Sequence, residues 1–147
     1  MADVKEKLVN MLNRPLKLEH AARIQYLAHA ELIKGLGAEK VIERLKEIAS
    51  DEEKHEGIFR NLIGSYLEGE PAMGLAETHE AKNTKAILEV NLEKEKEAID
   101  FYKKIYQEVI NNKKELRFEF ETLEHDIRHV IIDEEEHVVE LSLLLGR

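Results

Sequence analysis

Cysteine is missing from this 147-residue chain, and its absence excludes disulfides, thiolate metal sites, iron–sulfur clusters and cysteine nucleophiles together. Any metal has to be held by His, Asp and Glu. Proline and glycine are scarce, 2 and 7 residues or about 6% of the chain, against roughly 12% in average usage. That scarcity argues against a turn-rich all-β fold. No apolar run approaches the roughly 18 residues of a membrane span, and Met1 to Lys5 lack the charged start and apolar middle of a signal peptide. No membrane partner and a cytoplasmic location are expected. Basic side chains are outnumbered, 22 against 31, for a formal charge of −9. Affinity for nucleic acid comes mostly from Lys and Arg neutralising phosphates, so no nucleic-acid partner is expected either. What is present is 43% apolar and 36% charged residues, enough for one core and a single domain over 1–147.

The few breakers divide the chain. Asp3 followed by Glu6 has capping-box spacing and starts a first helix. Gly35-Leu36-Gly37 stops it near Lys34, and Pro15 is expected to kink or interrupt it. The expected helices are therefore about 3–34, 38–68, 81–111 and 115–145. A linker covers 69–80, and Asn111 to Lys114 forms the last turn. Each helix carries an apolar seam at alternating four and three spacing. The second reads Val41, Leu45, Ile48, Glu52, His55, Phe59, Leu62, Tyr66; the fourth reads Leu116, Phe120, Leu123, Ile127, Val130, Glu134, His137, Leu141, Leu144. The third passes through Leu92, Glu95, Ile99 and Tyr102, and the first through Leu12, Pro15, Glu19, Ala22 and Tyr26.

Six carboxylates and imidazoles thus interrupt four apolar stripes, and burying them requires pairing or coordination. Glu52 with His55, and Glu134 with His137, are three residues apart and project from one helix face. The words around them repeat, Asp51-Glu52-Glu53-Lys54-His55 and Asp133-Glu134-Glu135-Glu136-His137, and Glu19 with Tyr26 recurs as Glu95 with Tyr102. The chain reads as a duplicated helical hairpin. Depth offers an independent check, because residues at one level of an antiparallel pair lie equally far from the turn. The midpoint of Glu19 and Glu52 falls on Gly35-Leu36-Gly37, and that of Glu95 and Glu134 falls beside the Asn111–Lys114 turn. About 11 extended residues reach roughly 36 Å, so the linker can cross back along most of the bundle. Four Glu and two His at one level supply ligands for two divalent cations, whose charge the four carboxylates balance. An oxygen-rich site with one imidazole per metal suits iron or manganese rather than tetrahedral structural zinc. The expectation is two iron ions per chain, with manganese or zinc as substitutes.

A lone Glu on each of two helices plus Glu-x-x-His on each of the other two is the ligand pattern of di-iron carboxylate bundles. From Glu19 to His137 the layout resembles the ferritin-like superfamily, bacterioferritin most and rubrerythrin next. That resemblance implies an all-α four-helix bundle of two antiparallel hairpins joined by a long crossover. It implies metal ligands and catalytic residues at Glu19, Glu52, His55, Glu95, Glu134 and His137, with Glu52 and Glu134 bridging. Tyr26 and Tyr102 would hydrogen-bond to ligands, and Asp51 and Asp133 would each orient a ligand His of a facing helix through its other ring nitrogen. A homo-oligomer, dimer or larger, is also implied. Three departures change the expectation. Bacterioferritin places a haem-ligating Met directly after its first bridging Glu, where this chain has Glu53, so no haem is expected. The chain ends at Arg147 after the fourth helix, without the short fifth helix that lines pores in ferritin cages, which leaves open whether a 24-subunit storage shell forms. Rubrerythrins add a Cys-rich domain and an extra Glu one turn from the third-helix ligand, where Leu92 and Ala98 stand here.

Plainer readings stand beside these. The six seam residues could satisfy one another in a metal-free bundle, Tyr26 and Tyr102 could be core aromatics with polar tips, and His29 reads as a satisfied interior residue. Glu121, His125 and His129 could hold a further metal but read as a solvated face. Three functions follow. The first is a ferroxidase taking Fe2+ and O2 or H2O2, for iron detoxification or storage. The second is a di-iron oxidoreductase, such as a rubrerythrin-like peroxide reductase, with an external electron donor. The third is a non-enzymatic metal-binding bundle.

Overall fold

A computed structural model describes residues 3–147; Met1 and Ala2, part of the N-terminal reading, lie outside them. Four α-helices follow one another: α1 Val4–Ala30, α2 Ala38–Asn61 (continued by a π-helical turn, Leu62–Tyr66), α3 Thr84–Asn111 and α4 Phe120–Leu144. Among the described residues there is no strand. Asp3 caps α1, its Oδ1 accepting from the Lys5 N–H, and Asn83 caps α3 by accepting from the Ala86 N–H, each satisfying a donor left free by the first helical turn.

The helix limits differ from the sequence reading in ways that packing explains. Helix α1 runs unbroken through Pro15, which is buried between the fully buried Leu12 and Leu16. Core packing there outweighs the one backbone hydrogen bond that proline forgoes. The same helix stops at Ala30 rather than near 34. The Glu31 and Leu32 N–H groups bond three residues back, which tightens the turn and tucks Ile33 into the core. Gly35 and Gly37, both at positive φ, then reverse the chain. The second helix loses its α geometry at Leu62 instead of continuing to 68. Beyond it Gly69 lies so close to Val9 of α1 that a Cβ there would sit 2.5 Å from the valine side chain. The third helix begins at Thr84, not 81, where Asn83 supplies the cap. The fourth begins at Phe120, not 115, because Leu116 is fully buried as a plug within the turn.

Two hydrophobic clusters fix the helix directions. One gathers Leu8, Leu12 and Leu16 of α1 with Phe59, Tyr102, Ile105, Val109, Leu123 and Ile127. The other gathers Tyr26 and Ala30 with Leu45, Ile48, Ile87, Leu88, Leu92 and Leu141. Helices α1 and α4 thus run from the first cluster to the second, and α2 and α3 run back. The crossover, 67–83 rather than 69–80, must return the chain along the bundle between the parallel α2 and α3. It does so strapped to α1. The Ala72 N–H donates to Asn13 Oδ1, the Ala76 N–H to the Lys17 carbonyl and the His79 N–H to Gln25 Oε1. Extended chain from Glu70 to His79, at about 3.3 Å per residue, covers the roughly 24 Å of helix between Asn13 and His29. Between the clusters lies a polar layer.

Candidate metal centre

Glu19, Glu52, His55, Glu95, Glu134 and His137 make up that layer, and none is more than 4% exposed. Each sits on the buried seam of its helix, midway between the two clusters. His55 Nδ1 lies 2.8 Å from Glu134 Oε1, 3.3 Å from Glu52 Oε1 and 3.6 Å from Glu19 Oε1. His137 Nδ1 lies 3.4 Å from Glu134 Oε2 and 3.5 Å from both Glu52 Oε1 and Glu95 Oε1. Two clusters of potential ligand atoms result, Glu19-Glu52-His55-Glu134 and Glu52-Glu95-Glu134-His137, each set lying within 4.8 Å of one another. Glu52 and Glu134 belong to both.

The outer atoms of this group are satisfied and the inner ones are not. Tyr102 donates its hydroxyl to Glu19 Oε1 at 2.8 Å, and Tyr26 donates to Glu95 Oε1 at 2.7 Å, each between the neighbouring helices α1 and α3. His55 Nε2 meets Asp133 Oδ2 and His137 Nε2 meets Asp51 Oδ2, both at 2.9 Å. Because a carboxylate only accepts, Nε2 of each ring carries a proton, and Nδ1, turned inward, is the nitrogen that can give up its own to a cation. The facing atoms Glu19 Oε2, Glu52 Oε1, His55 Nδ1, Glu95 Oε2, both Glu134 oxygens and His137 Nδ1 are buried without a hydrogen-bond partner. Buried polar atoms without partners are rare and expensive, and seven of them around one space fit a pair of cations held by oxygen and imidazole nitrogen.

Without cations the layer must hold protons. Burial, then the Glu134 charge, raises Glu19 from 4.5 to about 7, and the same two causes hold Glu52 and Glu95 well above the usual carboxylate range. For Glu134 burial acts upward, but neighbouring Glu95, His137 and His55 outweigh it and pull the group well below. Burial opposes a charge on His55, yet the carboxylates of Glu134 and Glu19 overcome it and push the ring up to about 12. His137 is raised in the same way by Glu134 and Glu95. A central anion between two cationic rings, flanked by neutral acids, is the arrangement these shifts describe.

Three buried polar residues lay outside the sequence reading. Gln25 and Asn91 join His29 in a closed hydrogen-bonded ring with the main chain of His79. Gln25 Nε2 donates to Asn91 Oδ1 (2.8 Å), Asn91 Nδ2 to His29 Nδ1 (3.0 Å), and His29 Nε2 to the His79 carbonyl (3.0 Å). His29 is thus a satisfied interior residue, and burial lowers its pKa. Glu56 is 5% exposed and neutralised by Arg23 through a two-point contact. It turns toward α1, away from the metal layer. A cavity of about 210 Å³ reaches Glu52, Glu95 and Glu134 from the surface, where Lys94 and Glu97 line it. Ala21, Ala22 and Ala98 leave its walls open. Glu121, His125 and His129 lie on or near the solvated face of α4.

A four-helix bundle whose middle layer holds two carboxylate–imidazole clusters sharing two glutamates has the architecture of the di-iron bundles. The ferritin-like domain family matches residues 9–147, and the chain belongs to that family. A bacterial ferritin of Neisseria meningitidis serogroup B is 33% identical over 100 residues, 67% of this chain and 64% of that protein. The match therefore spans just under two thirds of that relative. A ferritin-like di-iron-carboxylate protein from Bacillus anthracis superposes with a TM-score of 0.89 at 26% identity, over 99% of both chains. A dodecameric thioferritin from Bacteroides fragilis, related to bacterioferritin, shares the fold with a TM-score of 0.84 at 24% identity, over 97% of this chain and 86% of its own. Among the described residues no helix is long and apolar enough to cross a membrane.

Proposed function

We propose that this chain is a ferroxidase that takes two Fe2+ between Glu19, Glu52, His55, Glu95, Glu134 and His137 and oxidises them with O2 or H2O2, in iron detoxification or storage. The observation that carries the reading is the set of seven partnerless buried atoms facing one space. On this reading Glu52 and Glu134 bridge the two ions, while Glu19 with His55 and Glu95 with His137 complete one site each. Four carboxylates balance the charge of two divalent cations. As substrate, each Fe2+ gives up one electron. With H2O2 and two protons the products are two Fe3+ and two waters; with O2 and two protons they are two Fe3+ and one H2O2.

The protein's part is geometry and proton handling. Tyr102 and Tyr26 occupy the outer oxygens of Glu19 and Glu95, leaving Oε2 of each free to bind. Asp133 and Asp51 keep the imidazole protons on Nε2, so Nδ1 is the donor atom. Cation binding displaces the protons held in the empty layer. The cavity between α1 and α3 supplies the approach for ion and oxidant. Glu53 stands where bacterioferritin has its haem-ligating Met, and haem forms no part of the proposal. The chain assembles as a homo-oligomer, a reading supported by the dodecamer of the Bacteroides fragilis relative and tested by sedimentation velocity.

Anaerobic Fe2+ titration followed by oxygen admission tests the activity. Two Fe2+ bound per chain and rapid oxidation are expected, both lost when Glu52→Ala and Glu134→Ala are combined. Continuous peroxide turnover driven by an added reductant, without net consumption of Fe2+, would replace the ferroxidase by a peroxide reductase.

A further inference from the structure

His125 and His129 stand one turn apart on the solvent face of α4, and the proposed oxidation uses neither. Their ring centroids are 4.1 Å apart with planes tilted by 30°, so the two imidazoles already lie side by side, as side chains four apart on one helix face do. His125 is also oriented. Its Nδ1 lies 2.9 Å from Asp126 Oδ1, while 58% of its side chain remains exposed. A carboxylate on Nδ1 keeps the ring proton there and leaves the Nε2 lone pair for solvent or a ligand. The buried centre uses the same device with the nitrogens exchanged, since there Asp133 and Asp51 take Nε2.

We infer that His125 and His129 form a surface chelate for one borderline divalent cation of the zinc, copper or nickel kind, separate from the buried carboxylate centre. Two histidines at i and i+4 on a helix are a known zinc-binding arrangement, with nitrogen approaching to about 2.1 Å. Both rings are exposed, so that approach needs only side-chain rotation. Water completes the coordination. The donor set selects its cation. Paired imidazoles favour Zn2+, Cu2+ and Ni2+ over Fe2+ and Mn2+, whereas the oxygen-rich buried layer accepts the latter.

The test is a Zn2+ titration of the full chain followed by NMR of its histidine side-chain nitrogens, with His55 and His137 reporting the buried centre in the same sample. The His125 and His129 signals should move together, and their response should account for one Zn2+ per chain beyond whatever the His55 and His137 signals report at the buried centre. Replacing the second ring, His129→Gln, should weaken that response by about 100-fold, and Asp126→Asn by about tenfold, the range for lost ligand support. His129 is exposed and Asp126 half-buried, and circular dichroism should show unchanged helix in both variants. Shifts confined to His55 and His137, or a His125 response that is the same in His129→Gln, would overturn the inference.

Discussion

Raising the pH should destabilise the metal-free chain and strengthen its stabilisation by metal. With the layer empty, Glu19 is raised from 4.5 to about 7 by burial and the Glu134 charge. Between those values the folded chain keeps a proton that the unfolded chain has released. Stability follows the protons bound unfolded minus those bound folded, so it falls across this window. At about 1.4 kcal/mol per pH unit, Glu19 alone accounts for about 3 kcal/mol. Glu52 and Glu95, raised further, act in the same direction. His55, raised from 6.5 to about 12, contributes stability that is complete below 6.5 and is lost as pH climbs toward 12. His29, lowered by burial, acts in the opposite sense just below 6.5, one ring against three carboxyl groups. At this chain length about 1 kcal/mol moves Tm by about 2 to 4 °C. Chelator-treated protein should therefore melt at least about 6 °C lower at about pH 7.5 than at about pH 5, followed by far-UV circular dichroism. Mn2+, which competes with the same protons, should add about 2.7 kcal/mol per site at about 100 times Kd, with an increment that grows with pH at fixed total metal. A metal-free Tm that is flat or rises over that range would refute the protonation scheme. A Mn2+ increment that shrinks as pH rises would refute the competition between cations and protons.

Other perturbations follow from single contacts. Asp133→Asn removes the carboxylate that orients His55, and should weaken Mn2+ binding at one of the two sites by about 10- to 100-fold, read by titration with electron paramagnetic resonance. Tyr102→Phe strands Glu19 Oε1 in the interior and should destabilise the metal-free chain by about 1 to 3 kcal/mol in urea unfolding. Asn91→Ala opens the ring that ties the crossover to α1 and α3. It should cost about 1 to 3 kcal/mol, with the His79 amide exchanging hydrogen faster while the helix cores stay protected.

The layer was legible in the sequence because burial and helical period leave a regular trace. Four seams at 4-3 spacing carried Glu or His at matching depth, and the hairpin midpoints placed them at one level, where the structure brings them together. The pairing of each Asp with the facing His also has a sequence signature, the repeated Asp-Glu-x-x-His words. Gln25, Asn91 and Glu56 had no such trace. Their partners are the main chain of His79, the ring of His29 and the guanidinium of Arg23, all distant in sequence, so no spacing rule connects them. Helix ends were legible only to within a few residues for the same reason. Leu116 fits the period of α4 yet is buried in a turn, and Pro15 carries a breaker's signal that buried leucines on either side override.

In the proposed function two divalent cations satisfy the partnerless atoms between the hydrophobic clusters. Anomalous diffraction from crystals grown metal-free and soaked anaerobically in Mn2+ tests it directly. Two peaks per chain are expected, one beside Nδ1 of His55 and one beside Nδ1 of His137, with Glu52 and Glu134 touching both. A saturated soak with no peak in this layer, or with ions only on the Nε2 side of the rings, would contradict it.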